Sequence, residues 1–302
     1  MKIALTGGTG FVGGALAKEL VKNGHEIFIL TRDARNRNNT EKITYISWLN
    51  NGDAPEEELD GMDGFINLAG ESINSGRWTE TRKKRILDSR ISATREVMRI
   101  IKQLNKKPQI LINASAIGYY GTSLTNTFTE DSSEKGADFL STTVQKWEME
   151  ALNAKELGIR TVCCRFGIIL DRADGALPRI ALPYKLFAGG TVGSGEQWVS
   201  WIHLKDVVKG IIFCMDNKKI EGPVNFTAPS PLRMKEFGQI LGKSMQRPHW
   251  IPAPEFALKA LLGEMSILVL EGQNVVPEKL ISNGYSFLFN HLHEALADIY
   301  KR

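Results

Sequence analysis

The stretch Lys2-Ile-Ala-Leu-Thr-Gly-Gly-Thr-Gly-Phe-Val-Gly13 decides the reading of the chain. Ile3 to Leu5 form a short apolar run suited to a buried strand, and a helical pattern then continues to about Asn23. Gly7, Gly10 and Gly13 mark the turn and the opening of that helix. Glycine lets such a turn pass close to a ligand because it carries no Cβ. The helix aims its unpaired N–H groups and the positive end of its dipole at the turn, which favours a pyrophosphate. Spaced glycines alone are common. Between an N-terminal strand and an amphipathic helix they point to dinucleotide binding, the alternative being a purely structural strand–helix turn.

Working outward, residues 25–31, 42–48, 64–70, 109–115 and 159–165 read as further strands. Helical spacing covers 79–104, through Ile86, Ile91, Val97, Ile101 and Leu104, and again 138–157. Residues 50–63 are polar and acidic with Gly and Pro, and read as a surface connection. Strands alternating with helices imply parallel crossovers and a doubly wound α/β sheet, whose ligands sit at the carboxyl ends of the strands. Beyond Arg165 the alternation fades into Gly- and Pro-rich chain and short apolar helices. The expected partition is a dinucleotide-binding domain over residues 1–165 plus about 204–228. A smaller, mostly helical C-terminal lobe takes about 166–203 plus 229–302.

Composition narrows the function. The 302 residues are 42% apolar and 24% charged, as in ordinary soluble chains. A net charge of +4, from 38 basic and 34 acidic residues, gives no ground for nucleic-acid binding. The N-terminus runs straight into a strand, so no signal peptide is expected, and Lys259 and Glu264 interrupt the most apolar late stretch, so no membrane span is expected. Three cysteines, two of them adjacent (Cys163, Cys164), make no disulfide framework and fit a cytoplasmic location. His291-x-His293 lacks acidic or cysteine companions at ligand spacing, so no metal is expected.

Several stretches together resemble the extended short-chain dehydrogenase/reductase superfamily of NAD(P)-dependent epimerases and dehydratases. They are Thr6-Gly-Gly-Thr-Gly-Phe-Val-Gly13, Asn67-Leu-Ala-Gly70, Ser115-Ala-Ile-Gly-Tyr-Tyr-Gly121, Thr129-Glu-Asp131 and Trp201-Ile-His-Leu-Lys-Asp206. Gly167-Ile-Ile-Leu170, Gly193-Ser-Gly-Glu-Gln197 and Gly272-Gln-Asn-Val-Val-Pro277 further resemble the subgroup called epimerase family proteins. The resemblance implies a Rossmann-type dinucleotide-binding domain with a lobe closing over a small-molecule substrate, and a Tyr–Lys pair four residues apart doing acid–base work beside the nicotinamide. Here no Tyr has Lys at the fourth position after it. The best register puts Lys146 at the lysine and Thr142 at the tyrosine. The serine position falls on Ala116, with Ser115 one residue early. Tyr119 or Tyr120 is the candidate replacement phenol, or both simply pack. The catalytic candidates are thus Ser115, Tyr119, Tyr120 and Lys146.

The cofactor candidates are Gly7, Thr9, Gly10, Phe11, Val12 and Gly13 in the opening motif, Leu68, Ala69, Gly70 and Glu71 after the fourth strand, Arg90 on the following helix, and Ala114. Thr31 stands where NAD-preferring relatives carry a carboxylate for the ribose 2′-OH, and Arg32 follows it. A hydroxyl tolerates a 2′-phosphate and a guanidinium grips it, so NADP(H) is expected over NAD(H), with Asp33 as the counter-argument. The leading reading is an NADP-dependent oxidoreductase or epimerase-like enzyme acting on a small polar molecule. The alternative is a catalytically quiet NADP(H)-binding sensor or interaction protein, which the missing Tyr–Lys pair favours. Substrate and oligomeric state are not legible.

Overall fold

β1 (Lys2–Thr6) and α1 (Phe11–Lys22) flank the glycine turn as expected in the computed structural model, which describes residues 1–301. β2 (Glu26–Thr31), β3 (Ile43–Ser47) and β4 (Gly64–Asn67) follow. The connection at 50–63 is more than a surface link. It carries one 3₁₀ turn, Pro55–Glu57, and buries Leu59 and Met62 beside Phe65. α2 (Glu80–Gln103) starts where the Thr79 hydroxyl accepts from Arg82 N at 3.2 Å, and it packs Val97, Ile100 and Ile101 inward. β5 (Ile110–Ala116) leads to a two-residue strand, β6 (Thr127–Phe128), that the sequence pattern did not suggest. α3 (Phe139–Leu152) starts on the Asp138 carboxylate and ends earlier than expected, because Asn153–Leu157 tightens into a 3₁₀ turn.

β7 (Arg160–Phe166) is followed by β8 (Ile168–Leu170), α4 (Leu177–Lys185), β9 (Trp198–Val199), β10 (Trp201–His203) and α5 (Leu204–Asp216). β11 (Gly222–Phe226), β12 (Leu232–Arg233), α6 (Met234–Met245), α7 (Glu255–Leu262), α8 (Ile267–Leu270), β13 (Asn274–Val275), α9 (Glu278–Ser282) and α10 (Leu292–Ile299) complete the chain.

Seven strands form one parallel sheet in the order β11-β7-β5-β4-β1-β2-β3. The chain steps outward from β1 to β3, then returns to lay β4 on the other side of β1. That reversal opens a crevice at the carboxyl ends of β1 and β4. Helices cover both faces. Leu16 and Leu20 of α1 join Val207 and Ile211 of α5 on one side, while Val97 of α2 and Ala151 of α3 pack on the other. Strand residues alternate accordingly, Ile3 and Leu5 into the first core and Ala4 into the second.

A third core, with Leu177, Tyr184, Trp201, Phe237, Leu241 and Leu296, joins α4, α6 and α10. Part of the late chain packs on the main sheet instead: Leu280 is buried in the first core, with Tyr285 and Phe287 against it. Asp206 ties this segment down. It lies in the first turn of α5, and its carboxylate accepts from Leu288 N at 2.8 Å, Phe289 N at 3.1 Å and the Tyr285 hydroxyl at 3.1 Å. His203 is the cap, its Nδ1 accepting from Lys205 N at 3.0 Å.

Two adjacent glycines of α1 test this packing. A Cβ on Gly13 would lie 2.1 Å from Gly7 O, whereas one on Gly14 would meet only Gly8 O at 3.8 Å. Gly13→Ala is expected to destabilise the fold by about 1–3 kcal/mol. Gly14→Ala is expected to stabilise it by about 0.5–1 kcal/mol through helix propensity. Urea unfolding of both variants checks the contrast, and equal effects would contradict the close approach.

Candidate active site

The glycine turn is built by contact as much as by conformation. Gly7 has φ +68°, and a Cβ there would sit 2.7 Å from Leu68 O in the chain leaving β4. Gly13 is held equally close to Gly7. Gly10 differs: a side chain there would meet only Gly7 O, at 3.3 Å, so the space beyond it is open. Gly10 is also the N-cap of α1 and offers no side chain to the first-turn N–H groups. Thr9 and Gly10 are exposed, and Phe11 and Val12 half-buried. Such a turn cradles an anion.

At the end of β2, Thr31 Oγ1 accepts from Asp33 N at 3.3 Å, and Asp33 Oδ1 accepts from Asn36 Nδ2 at 2.6 Å. The Arg32 side chain is exposed, and its guanidinium has no hydrogen-bond partner or carboxylate partner among the described residues.

Beneath the ends of β1, β4 and β5 lies a buried polar network. Thr6 Oγ1 donates to Asn67 Oδ1 at 2.6 Å, and Asn67 Nδ2 donates to Asn113 Oδ1 at 2.6 Å and to Thr94 Oγ1 at 3.0 Å. Trp147 Nε1 donates to the same Thr94 oxygen at 3.0 Å. Satisfied networks of this kind hold strand ends in one arrangement. Ala69 N joins it by donating to Thr6 Oγ1 at 3.2 Å. Arg90 reaches in from α2. Its Nη1 donates to Glu71 O and Ile86 O, both at 3.0 Å, and its guanidinium lies 5.1 Å from the Trp147 ring centroid. Burial pulls its pKa down to about 10.

A cleft of about 350 Å³ opens over the ends of β5 and β7. Ala114, Ser115, Arg90, Thr143 and Trp147 line its floor and side, and Ile267, Leu268 and Glu271 of the C-terminal segment line it as well. Arg77 Nη2 straps that segment down by donating to Ala260 O and Leu261 O, both at 2.9 Å, and Lys83 pairs with Glu264.

Ser115 opens a second network. Its hydroxyl donates to Glu148 Oε1 at 2.5 Å. Glu148 is 4% exposed and accepts from Arg165 Nε and Nη2, both at 2.8 Å. Arg165 Nη1 donates to the Tyr120 hydroxyl at 2.9 Å, which donates to Asn225 Oδ1 at 2.8 Å. Burial raises the Tyr120 pKa, with Arg165 opposing. The Arg165 guanidinium also stacks 3.6 Å from the centroid of the Tyr119 ring.

This architecture matches known proteins along its length. The profile described as "NAD dependent epimerase/dehydratase family" matches residues 3–226. The chain belongs to the NAD dependent epimerase/dehydratase family. A domain of unknown function matches residues 253–299. The epimerase family protein YfhF of Bacillus subtilis is 50% identical over 299 residues, covering 99% of this chain and 98% of that one. An epimerase family protein of Staphylococcus epidermidis is 42% identical over 297 residues, 98% of each chain. The crystal structure of human epimerase family protein SDR39U1 with NADPH superposes with a TM-score of 0.87 at 32% identity, covering 99% of both chains.

Within this family member, the sequence-expected groups divide sharply. Gly7, Gly10, Gly13, Leu68, Ala69 and Gly70 converge at the switch point, and Ser115, Ala114 and Arg90 line the cleft. Glu71 turns away, its carboxylate taken by Arg82 and, at 2.9 Å, by Arg85. Lys146 is a correction. It is exposed in a surface groove between α2 and α3, as is Thr142 on the same helix, and Glu150 pairs with Arg95 rather than with it. The face of α3 turned to the cleft carries Thr143 and Trp147, one residue out of the expected register. Tyr119 and Tyr120 also lie off the cleft: Tyr120 is 3% exposed with its hydroxyl committed on both sides, and Tyr119 stacks on Arg165.

Glu148, Thr143 and Trp147 were missed. The signal was present in the period of α3, where Ser141, Val144, Trp147, Glu148 and Ala151 share a buried face and Lys146 lies off it. Loss of one partner from a buried ion pair strands the other. Arg165→Ala is therefore expected to cost about 3–5 kcal/mol. Lys146→Ala should stay within about 0.5 kcal/mol of wild type. Chemical denaturation of the two variants tests this; comparable losses would contradict the placement.

Proposed function

We propose that the chain is an NADP(H)-dependent oxidoreductase or epimerase-like enzyme of the extended short-chain type, acting on a small molecule held in the cleft. The observations that carry the reading are the open face of Gly10 in the turn whose Gly7 packs on Leu68, and Gly70 lying against Arg90, which lines the cleft together with Ser115. The residues present fit a dinucleotide: Gly10 leaves its space to a ligand, and the N-terminus of α1 has no side-chain cap. Gly7 to Gly13, with Thr9, Phe11 and Val12, would hold the pyrophosphate, and Leu68 to Gly70, Ala114 and Arg90 would border the rest. When bound, the cofactor supplies hydride exchange at its nicotinamide. Ser115 and Thr143 are the hydroxyls placed to orient a substrate oxygen. Three free, buried cysteines agree with a reducing, cytoplasmic setting. Among the described residues no helix is long and apolar enough to cross a membrane.

The second reading, a quiet NADP(H)-binding protein, is favoured by one observation. Among the described residues, no tyrosine or lysine lines the cleft. Turnover of any member of a carbonyl and alcohol panel, abolished by Ser115→Ala, decides for the enzyme.

NADP(H) is preferred over NAD(H) because Arg32 is unpaired and the Asp33 carboxylate is engaged by Asn36. One charge-assisted hydrogen bond to a 2′-phosphate is worth about 1.5–3 kcal/mol, or about 10- to 100-fold in affinity. Calorimetric titration should show that preference in wild type and its loss in Arg32→Ala. Gly10→Val should weaken both cofactors. Equal or tighter binding of NAD(H) by the wild type contradicts the assignment.

A further inference from the structure

The hydroxyls that line the cleft have mostly given their hydrogens to the protein. Ser115 donates to Glu148 Oε1 at 2.5 Å. Thr122 Oγ1 donates to Glu271 Oε2 at 2.6 Å. Ser200 Oγ donates to Gln273 O at 2.8 Å and accepts from Val275 N at 2.9 Å. A hydroxyl has one hydrogen and two lone pairs, so a committed hydroxyl presents only acceptor capacity. Asp138 and Glu271, which line the same space, are carboxyl acceptors. The side-chain donors left there are the Arg90 guanidinium, the Gln273 carboxamide and the Thr143 hydroxyl, the last two making no side-chain hydrogen bond among the described residues, and none of the three sits behind Ser115 as Glu148 does.

Ser115 is the most firmly committed of these groups. It is 2% exposed at the end of β5, and the carboxylate behind it is buried. Both oxygens of Glu148 are already acceptors for Arg165, so Glu148 has no hydrogen to hand back. Turning the Ser115 hydrogen toward the cleft would remove one donor from a buried carboxylate, a costly exchange. Much of the remaining lining is apolar, with Ile117, Val144, Phe166, Ile168 and Leu268 among the contributors.

We propose that Ser115 is a fixed hydrogen-bond acceptor, and that the cleft takes its substrate as a small, mainly apolar alcohol rather than as the matching ketone or aldehyde. This rests on the reading of the cleft as the substrate site of an NADP(H) enzyme, and it replaces the polar substrate expected from sequence. A hydroxyl placed on Ser115 donates to it. A carbonyl oxygen placed there sets lone pairs against lone pairs and leaves both unsatisfied, which sites built on hydrogen bonds reject strongly.

The test uses cyclohexanol and cyclohexanone, matched in size and shape, titrated calorimetrically into the protein–NADP⁺ complex. Wild type is expected to bind the alcohol at least about fivefold more tightly, the smallest factor that one unpaired buried polar group produces. The preference is expected to persist in Ser115→Thr, which keeps the hydroxyl, and to fall within about twofold in Ser115→Ala, where no lone pair remains. Equal or tighter binding of the ketone by wild type overturns the proposal. So does an unchanged preference in Ser115→Ala, or failure of both probes to bind up to their solubility limits. NADP⁺ is titrated alone beforehand. If it does not bind, the cofactor reading fails, and the same probe pair against the cofactor-free chain still decides the role of Ser115.

Discussion

The approach of three backbone segments at the carboxyl ends of β1 and β4 is the constraint on which the rest depends. Gly7 packs against Leu68 O, and Gly13 packs against Gly7 O, each at distances that exclude any Cβ. Because β4 returns beside β1 after β3, these contacts join the start of the sheet to the strand that reverses its order. The same contacts leave Gly10 uncrowded, a Cβ there meeting only Gly7 O at 3.3 Å among the described residues, and so one crowded turn produces one open space. The Thr6–Asn67–Asn113–Thr94 network beneath holds the strand ends in register, so that the turn and the cleft floor face the same side. A binding groove there is a consequence of topology and close packing together.

The second organising element is the buried Glu148–Arg165 pair. It takes the region where the family resemblance led us to expect a tyrosine and a lysine, and it uses the nearby tyrosines as walls: Tyr120 caps one Arg165 nitrogen and Tyr119 stacks on the guanidinium plane. Arg165 would lose much of its charge stabilisation to burial, but Glu148 and Tyr120 more than restore it and leave its pKa raised. The chemistry presented to the cleft therefore passes through Ser115, the one member of this network that lines it. Arg90 and Trp147 bound the same space from α2 and α3, so the cleft combines a buried cation, an aromatic plane and oriented hydroxyls.

Legibility in the sequence followed the range of the interaction. The glycine turn, the alternation of strands and helices and the Thr31-Arg32 end of β2 are local patterns, and each was readable. Lys146 shows where local reading fails. Asp138 sets the phase of α3 by capping it, and one residue of phase moves a side chain about 100° around the helix, from cleft to solvent. A buried Glu148 is recognisable only through its partner Arg165, which comes from the next strand. The roof of the cleft is harder still, since Leu268 and Glu271 reach Thr122 and Ser115 by folding that joins distant parts of the chain. Asp206 shows the same limit, since its hold on residues 285–289 joins distant parts of the chain.

The most direct measurement is energy transfer from Trp147 to bound NADPH. Trp147 lines the cleft beside Arg90, so a reduced nicotinamide seated there lies close to the indole. The expected result is NADPH emission on tryptophan excitation in the wild type, and a partial loss of that emission in Trp147→Phe at saturating NADPH, the remainder coming from tryptophans such as Trp198, which also lines the cleft. NADPH that binds without transfer, or with transfer unchanged by Trp147→Phe, would contradict a nicotinamide placed in the cleft over the ends of β5 and β7.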